Sequence, residues 1–363
     1  MTLDTTVLNR FSKVVPRPTI NDVASAAGVS KGAVSFALNG RPGIAPETRE
    51  RILAAAERLG WSPSQSARAL SVSRALAVGL VVARPPEVLR VDAFFPAFIA
   101  GAEAVFSERG HALLLQVAER DDLAAYRRLA RAGRVDGVLL TDLHVDDDRP
   151  ALLEELEVPA VVVGPPHDLV PERHLQATVG VDDAPGISAA VEHLVELGHR
   201  RIAHVSGPQD MVHGRSRRQA WSDALHRAGL GDDLCVQGDF STGSGAAATR
   251  ILLELGQPPT AIVFANDLMA LGGLSLAASR GIDVPGRLSI TGYDDTEIAA
   301  HLQPSLTTVS SDVVGWGRAA AARLLDLVDG RSCEPVALPP GRLVVRDSTG
   351  LASSEVPPRL EHR

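Results

Sequence analysis

The chain has 363 residues, of which 45% are hydrophobic and 22% charged, and a formal net charge of −8. That length exceeds one small domain and sets an expectation of two or three domains with ample core. Two cysteines, Cys235 and Cys333, exclude a disulfide framework and a thiolate metal site, and no run approaches the roughly 18–20 apolar residues of a membrane span. The first residues, MTLDTTVLNRFSKVVPRP, lack the apolar centre and small-residue cleavage site of a secretory signal, so a cytoplasmic location is expected.

The net charge hides a division. Residues 1–74 carry ten Lys and Arg against five Asp and Glu, a balance of +5, which leaves −13 on the remainder. A basic head on an acidic body suits a small polyanion-binding module attached to something that should avoid polyanions.

Residues 1–17 are expected to form a disordered tail. The stretch from Thr19 to Asn39, TINDVASAAGVSKGAVSFALN, then places Ile20, Val23, Ala24 and Ala27 on one helical face. Thr19 suits the N-cap and Asp22 the matching capping-box position. Gly28 tolerates the positive φ of a tight turn, and Ser30 caps a second helix with Val34, Ala37 and Leu38 on its apolar side. Two short helices about a Gly turn form either a helix-turn-helix or an ordinary helical hairpin in a core. Gly40-Arg41-Pro42-Gly43 is a loop. A third helix follows Pro46, carries Ile52, Ala55, Ala56 and Leu59, and ends at Gly60, with Ala45 a poor cap. After Trp61-Ser62-Pro63, Ser64 to Ser71 is too short to hold a helix in water without a partner. A plain linker is the other reading.

From Ala75 onward strands and helices alternate. Strands are expected at Ala77–Ala83, Ala112–Val117, Gly137–Thr141, Pro159–Gly164, Arg201–Gly207, Thr260–Ala265 and Leu288–Tyr293. Helical patterns lie between them near Pro96–Arg109, Leu123–Ala132, Ala184–Leu197, Arg215–Ala228, Gly245–Leu255, Leu268–Ser279 and Val313–Val328. Continuous apolar strands alternating with amphipathic helices imply parallel sheets covered on both faces. About 270 residues is large for one doubly wound sheet, which favours two similar lobes.

The TINDVA–AGVS–AVS–LN head, the following Pro-x-x-x-A-R-A-L segment, and the later DAFFPAFIAGAEAVFSERGH, VDGVLL, GHRRIAHVSGP, TAIVFANDLMALG and SITGYDDTEIAAHLQPSLTTV together resemble the lactose-repressor (LacI/GalR-type) family. The resemblance runs from Thr19 to about Gly350. It implies an all-α helix-turn-helix head joined by a hinge to an α/β body of two doubly wound parallel-sheet lobes, similar to periplasmic sugar-binding proteins. The implied divisions are 18–62 for the head, 63–75 for the hinge and 76–350 for the body. The N-lobe would take 76–177 plus 308–338, the C-lobe 178–307 plus 339–350, with 351–363 a tail. The tail has no leucine heptad. The implied function is a homodimeric transcription repressor, with a double-stranded, pseudo-palindromic DNA operator and a small-molecule effector between the lobes. The effector is expected to be a sugar, with a nucleobase-like corepressor as the alternative; no cofactor, metal or catalytic residue is expected.

Base reading falls to the exposed start of the second helix: Ser30, Lys31, Gly32, Ala33 and Ser35, with Thr19, Phe36 and Asn39 beside them. Lys31 suits guanine or a phosphate equally. Gly32 offers no side chain, and Phe36 stands where relatives commonly carry Arg; it can touch a thymine methyl or pack inward. By the same resemblance, Leu70 would wedge into the minor groove, with Arg68 on a phosphate; packing of Leu70 on the body is the other reading.

Ligands of open α/β sheets sit at the carboxyl ends of strands. Those ends deliver Asp142, Asn266-Asp267 and Asp294-Asp295, and the resemblance adds Arg217, four residues before Trp221. Carboxylates and amides pair with vicinal hydroxyls, and Arg holds two oxygens at once. Phe94 and Phe240 could stack on a ring. Asp267 reads better as the N-cap of the following helix, and Phe95 as core. An enzyme is the first rival, but Gly243-Ser244-Gly245-Ala246-Ala247-Ala248 follows a loop and lacks the acidic partner of a dinucleotide site. A secreted sugar-binding protein is the second, and the basic head argues against it.

Overall fold

A computed structural model describes residues 18–38, 42–61, 74–84, 89–118, 122–164 and 174–353. The chain separates into two units, Met1–Ala75 and Leu76–Arg363. Asn39, Arg68 and Leu70, the tail at 1–17 and the hinge segment Ser64 to Ser71 all lie outside the described residues.

The head is built from α1 (Ile20–Ala27), α2 (Lys31–Leu38) and α3 (Pro46–Arg58). The Asp22 carboxylate accepts from the Thr19 amide at 2.7 Å and hydroxyl at 2.8 Å, closing the first turn of α1. Gly28 stops that helix at φ 65°, a conformation a side chain resists. The Ser30 hydroxyl accepts the Ala33 amide at 3.2 Å and opens α2. Ala45 supplies no side-chain cap, and Pro46 at the first position of α3 removes one donor that would need it. Eight buried side chains make the core: Val23, Ala24, Ala27, Val34, Ala37, Ile52, Ala55 and Ala56. Five are alanines, so the helices approach closely but bury little, and a core of this size is marginal. Arg51 adds a polar tie, its Nε donating to the Ala27 carbonyl at 3.0 Å.

The body begins with β1 (Ala77–Val82), α4 (Phe94–Glu108), β2 (Ala112–Val117), α5 (Asp122–Arg131), β3 (Gly137–Leu140), α6 (Arg149–Glu155), β4 (Ala160–Gly164) and β5 (Gln176–Val181). It continues with α7 (Ala184–Glu196), β6 (Ile202–Ser206), α8 (Val212–Arg227), β7 (Cys235–Gln237), α9 (Thr242–Leu253), β8 (Ala261–Phe264), α10 (Asp267–Ser279) and β9 (Ser289–Thr291). A 3-10 turn at Glu297–His301 leads to β10 (Thr308–Ser310), α11 (Val313–Val328), β11 (Val336–Leu338) and β12 (Arg342–Val344).

Two parallel sheets result. The N-lobe sheet has the order β11-β5-β4-β3-β1-β2 and the C-lobe sheet β7-β6-β8-β9, while β10 and β12 form a separate antiparallel pair. Every strand and helix expected of the body forms, within three residues at each end. Strand β5 stays in the N-lobe sheet through Val181, pairing with β4 and β11, so the first passage between lobes falls after that residue rather than at 177/178. Val309 of β10 packs in the C-lobe core, so the return passage comes after Ser310 rather than at 308. Among the described residues the chain passes between lobes three times, near 182–183, 311–312 and 339–341.

One contact fixes the rim of the N-lobe. Helices α4 and α11 touch through glycines: a Cβ on Gly101 would lie 2.0 Å from the Val314 carbonyl oxygen, and one on Gly317 would lie 2.1 Å from that of Phe98. Only glycine allows that approach, and it brings Phe94 and Trp316 together, ring centroids 5.7 Å apart.

Candidate functional site

In each sheet the strand order reverses once about an early strand. In the N-lobe this is between β1 and β3, and in the C-lobe between β6 and β8. The connections that leave such neighbours diverge to opposite faces and leave a crevice at the carboxyl ends. A cavity of about 350 Å³ lies there, between the lobes.

All six residues expected to bind an effector line it: Phe94, Asp142, Arg217, Phe240, Asn266 and Asp294. They come from six separate segments. Four of the cavity's residues, Asp142, Phe240, Asp294 and Asp295, hold positive φ without being glycine. Among the described residues only three others do so, Leu76, Asp146 and Glu157. Backbone strain thus concentrates at the cleft, as functional sites often show.

On the N-lobe wall, Arg84 at the end of β1 grips Asp142 at the end of β3 through two hydrogen bonds of 2.6 Å. Burial works against the charged form of Asp142, but the Arg84 guanidinium more than offsets it and holds the carboxyl below its usual range. Arg149 and Asp147, both nearly buried, pair behind it, and Arg149 donates to the Asp142 carbonyl at 2.7 Å.

On the C-lobe wall, Arg217 of α8 binds Asp183 at 3.1 and 3.3 Å and the Ala265 carbonyl at 2.7 Å. Its guanidinium carbon sits 3.8 Å above the Tyr293 ring, whose hydroxyl donates to Asp183 at 2.7 Å. Asp294 approaches Arg217 at 3.9 Å and keeps 31% of its side chain open. Enclosure by the walls pushes its carboxyl well above the usual range, and Arg217 pulls it only part of the way back. His213 stacks on Phe240 at 5.1 Å, and burial, with Arg217 nearby, lowers it to about 4.

Two sequence readings change. Asn266, not Asp267, caps α10: its Oδ1 accepts the Met269 amide at 3.0 Å, while its Nδ2 donates to the Phe240 carbonyl at 3.1 Å. Asp267 is fully buried and ties the β10 strand to the preceding turn, accepting from Thr308 and Thr296. Phe240 is a packed wall rather than an open platform, 4% exposed, with His213 on its face. Phe95 is core, as its position suggests.

Arg84, Asp92, Asp183, Tyr293 and Trp316 also line the cavity and were not singled out from sequence. Arg84 was within reach, because it is the first charged residue after an apolar strand, as Asp142 is. Asp183 follows a strand that the pattern did not show. Among the described residues no group of three or more His, Cys, Asp or Glu is placed to hold a metal.

In the head, Ser30, Lys31 and Gly32 are exposed at the start of α2, Ala33 and Ser35 are half-buried, and Thr19 is exposed. Phe36 is 42% exposed, so it does not close the core. No helix among the described residues is long and apolar enough to cross a membrane.

A helix-turn-helix before a two-lobed body with an interlobe cavity lined by both charged and aromatic side chains defines a ligand-responsive DNA-binding regulator. Family profiles agree: bacterial regulatory proteins of the lacI family match residues 19–64, and the periplasmic binding protein-like domain matches 191–349. The HTH-type transcriptional regulator CelR of Thermobifida fusca is 39% identical over 340 residues, covering 92% of this chain and 98% of the relative. A solved CelR–cellobiose complex superposes with a TM-score of 0.69 at 38% identity, covering 92% of this chain and 100% of the other. The lac repressor dimer bound to operator and the anti-inducer ONPF gives a TM-score of 0.80 at 30% identity, with 92% and 99% covered. The chain belongs to the lacI family of bacterial regulatory proteins, and it is a DNA-binding transcriptional regulator.

Proposed function

We propose that this regulator is a homodimeric repressor whose affinity for a pseudo-palindromic operator is switched by a sugar held between the lobes. The observation that carries the reading is the convergence of six separate segments on one cavity at the switch points of both sheets. Its volume of about 350 Å³ falls in the range of small-molecule sites. Carboxylates there accept from sugar hydroxyls, Arg217 donates to them, and Phe94 and Trp316 offer apolar faces to a ring. The cellobiose complex of a 38%-identical relative makes a β-linked glucose disaccharide the first ligand to test.

On this reading Thr19, Ser30, Lys31, Gly32, Ala33, Ser35, Phe36 and Asn39 contact the operator, Leu70 wedges into its minor groove and Arg68 meets a phosphate. A ligand that binds the closed cleft better than the open one shifts the lobes toward closure by that difference in affinity and no more. The spacing of the two Ser64 to Ser71 segments in the dimer then changes, and operator affinity with it. The test starts from an operator selected out of random DNA by the full chain. Cellobiose and related sugars are titrated into the labelled complex while anisotropy is followed. Release of DNA at a saturable sugar concentration is expected. A panel of sugars that neither changes operator affinity nor binds calorimetrically would overturn the proposal.

A further inference from the structure

The charges lining the cleft do not cancel. Arg84 is engaged by Asp142, and Arg217 by Asp183 and a backbone carbonyl. Asp295 is held by Arg346 at 2.6 Å, and Asp312 caps α11 by accepting the Gly315 amide at 2.7 Å. His213, lowered to about 4, is neutral near pH 7. Three carboxylates are left over, Glu297 exposed to solvent and Asp92 and Asp294 half-buried. Asp92 has, among the described residues, only the Phe94 amide at 2.9 Å. Among the described residues the Asp294 carboxylate has only the already engaged Arg217, at 3.9 Å. No lysine lines the cavity among the described residues. Burial raises the Asp92 and Asp294 carboxyls, and the charge of Asp92 adds to the cost of ionising Asp294.

A third group looks for a partner. Thr141, 2% exposed and part of the cavity lining, has no hydrogen-bond partner for its hydroxyl among the described residues. A buried hydroxyl without one is costly, and a ligand donor or acceptor would satisfy it. The wall beside Asp92 is aromatic, with Phe94 and Trp316 edge to face, and aromatic faces attract cations. An anion would find each cation taken and the unpaired carboxylates of Asp92, Asp294 and Glu297 facing it.

We infer that the effector carries a positively charged amine: an amino sugar, or another amine-bearing polyol, recognised by Asp92 and Asp294 with Thr141 completing its hydrogen bonds. The inference rests on the cleft being the sugar site. It narrows that site to one charge class, and it bars phosphorylated sugars and sugar acids.

The test compares three β-linked disaccharides, each with two intact rings, on the full chain by calorimetry: the diamine of two glucosamines, neutral cellobiose, and the acid in which glucuronate replaces the non-reducing glucose of cellobiose. At about pH 6.5 the amines are largely protonated. The diamine is expected to bind at least about tenfold tighter than cellobiose, roughly one hydrogen-bonded ion pair's worth, and the glucuronate disaccharide not at all. Asp92→Asn should bring the ratio of diamine to cellobiose affinity towards one, and Asp92→Glu should keep it above one. Thermal melts of both variants check the fold. Cellobiose binding as tightly as the diamine, or tighter, overturns the inference and leaves the sugar reading standing. Binding of simple polyamines but of no sugar overturns the sugar reading and keeps the charge assignment. Binding of none of these overturns both.

Discussion

The two walls of the cleft hold their charges in different ways. On the N-lobe wall, Arg84 and Asp142 come from neighbouring strands of one sheet and face each other through two short hydrogen bonds. On the C-lobe wall, Arg217 of α8 reaches Asp183, which lies where the chain first leaves the N-lobe. The first pair moves as a unit with its lobe. The second spans a passage between lobes and draws in Tyr293 and the Ala265 carbonyl. A pair inside one rigid sheet can shape a pocket but cannot sense its closure. A pair across the joint can do both. A second link crosses elsewhere: Val212 donates to Leu143 at 2.9 Å and Val145 to Asp210 at 2.8 Å, with His144 and Asp210 3.7 Å apart.

The comparison is broken most severely by Arg217→Ala. It leaves Asp183, a side chain only 11% exposed, without its cation and uncovers one face of Tyr293. Removing one member of a buried pair costs about 3–5 kcal/mol, so urea unfolding should show a loss of that order. Calorimetry should show effector affinity down about a hundredfold or more, in keeping with a lost charged hydrogen-bond partner. Wild-type-like stability would mean that the joint does not depend on this arginine.

A more discriminating step uses the self-contained pair. Arg84→Met alone should destabilise by about 3 kcal/mol, because Asp142 stays buried and unpaired. Arg84→Met with Asp142→Leu should recover most of that loss, since apolar replacements of buried pairs are often neutral or better. Effector binding should stay lost in both. A double variant no more stable than the single one would show that the pair is not isolated within its wall.

The smallest effect is a pH dependence. His213 is lowered from 6.5 to about 4 and His204 from 6.5 to about 3, each mainly by burial. Between those values the unfolded chain binds protons that the native chain excludes, so stability falls as pH drops from about 6.5 towards 4. Asp267, raised by burial to about 6, binds its proton natively and acts in the opposite sense between 3.8 and about 6. Urea midpoints measured across this range should fall less steeply for His213→Gln than for the parent. An unchanged slope would place the proton uptake elsewhere.

Much of the architecture was legible because it repeats. Apolar runs such as Val78–Val82 and Val161–Val163, alternating with helical patterns, specify covered parallel sheets. The helix-turn-helix was legible because Gly28, Ser30 and Asp22 each have one local reason to be there. Short elements were not: Cys235–Gln237 and Thr308–Ser310 are three-residue strands, too brief to show a period, and Arg149–Glu155 is under two turns. The cleft was half legible. Asp142 and Asp294 announce themselves by following apolar strands, but what each binds lies far along the chain, 58 residues away for Asp142 and 77 for Asp294, measured to Arg84 and Arg217. The cap on α10 falls one residue earlier than the sequence suggests, because Asn and Asp are equal as caps and only the backbone separates them: Asn266 is extended at φ −154°, and Asp267 is already in the helix.

The three tryptophans give each part of the molecule its own optical signal. Trp61 packs against the head core. Trp221 is sealed in the C-lobe, 1% exposed, and stacks on His204. Trp316 lines the cleft and donates its indole proton to the Val179 carbonyl at 2.9 Å. With Trp61 and Trp221 replaced by Phe, the remaining emission reports occupancy of the cleft alone. Keeping only Trp221 gives a reference lamp in the same fold, against which closure can be timed without any label.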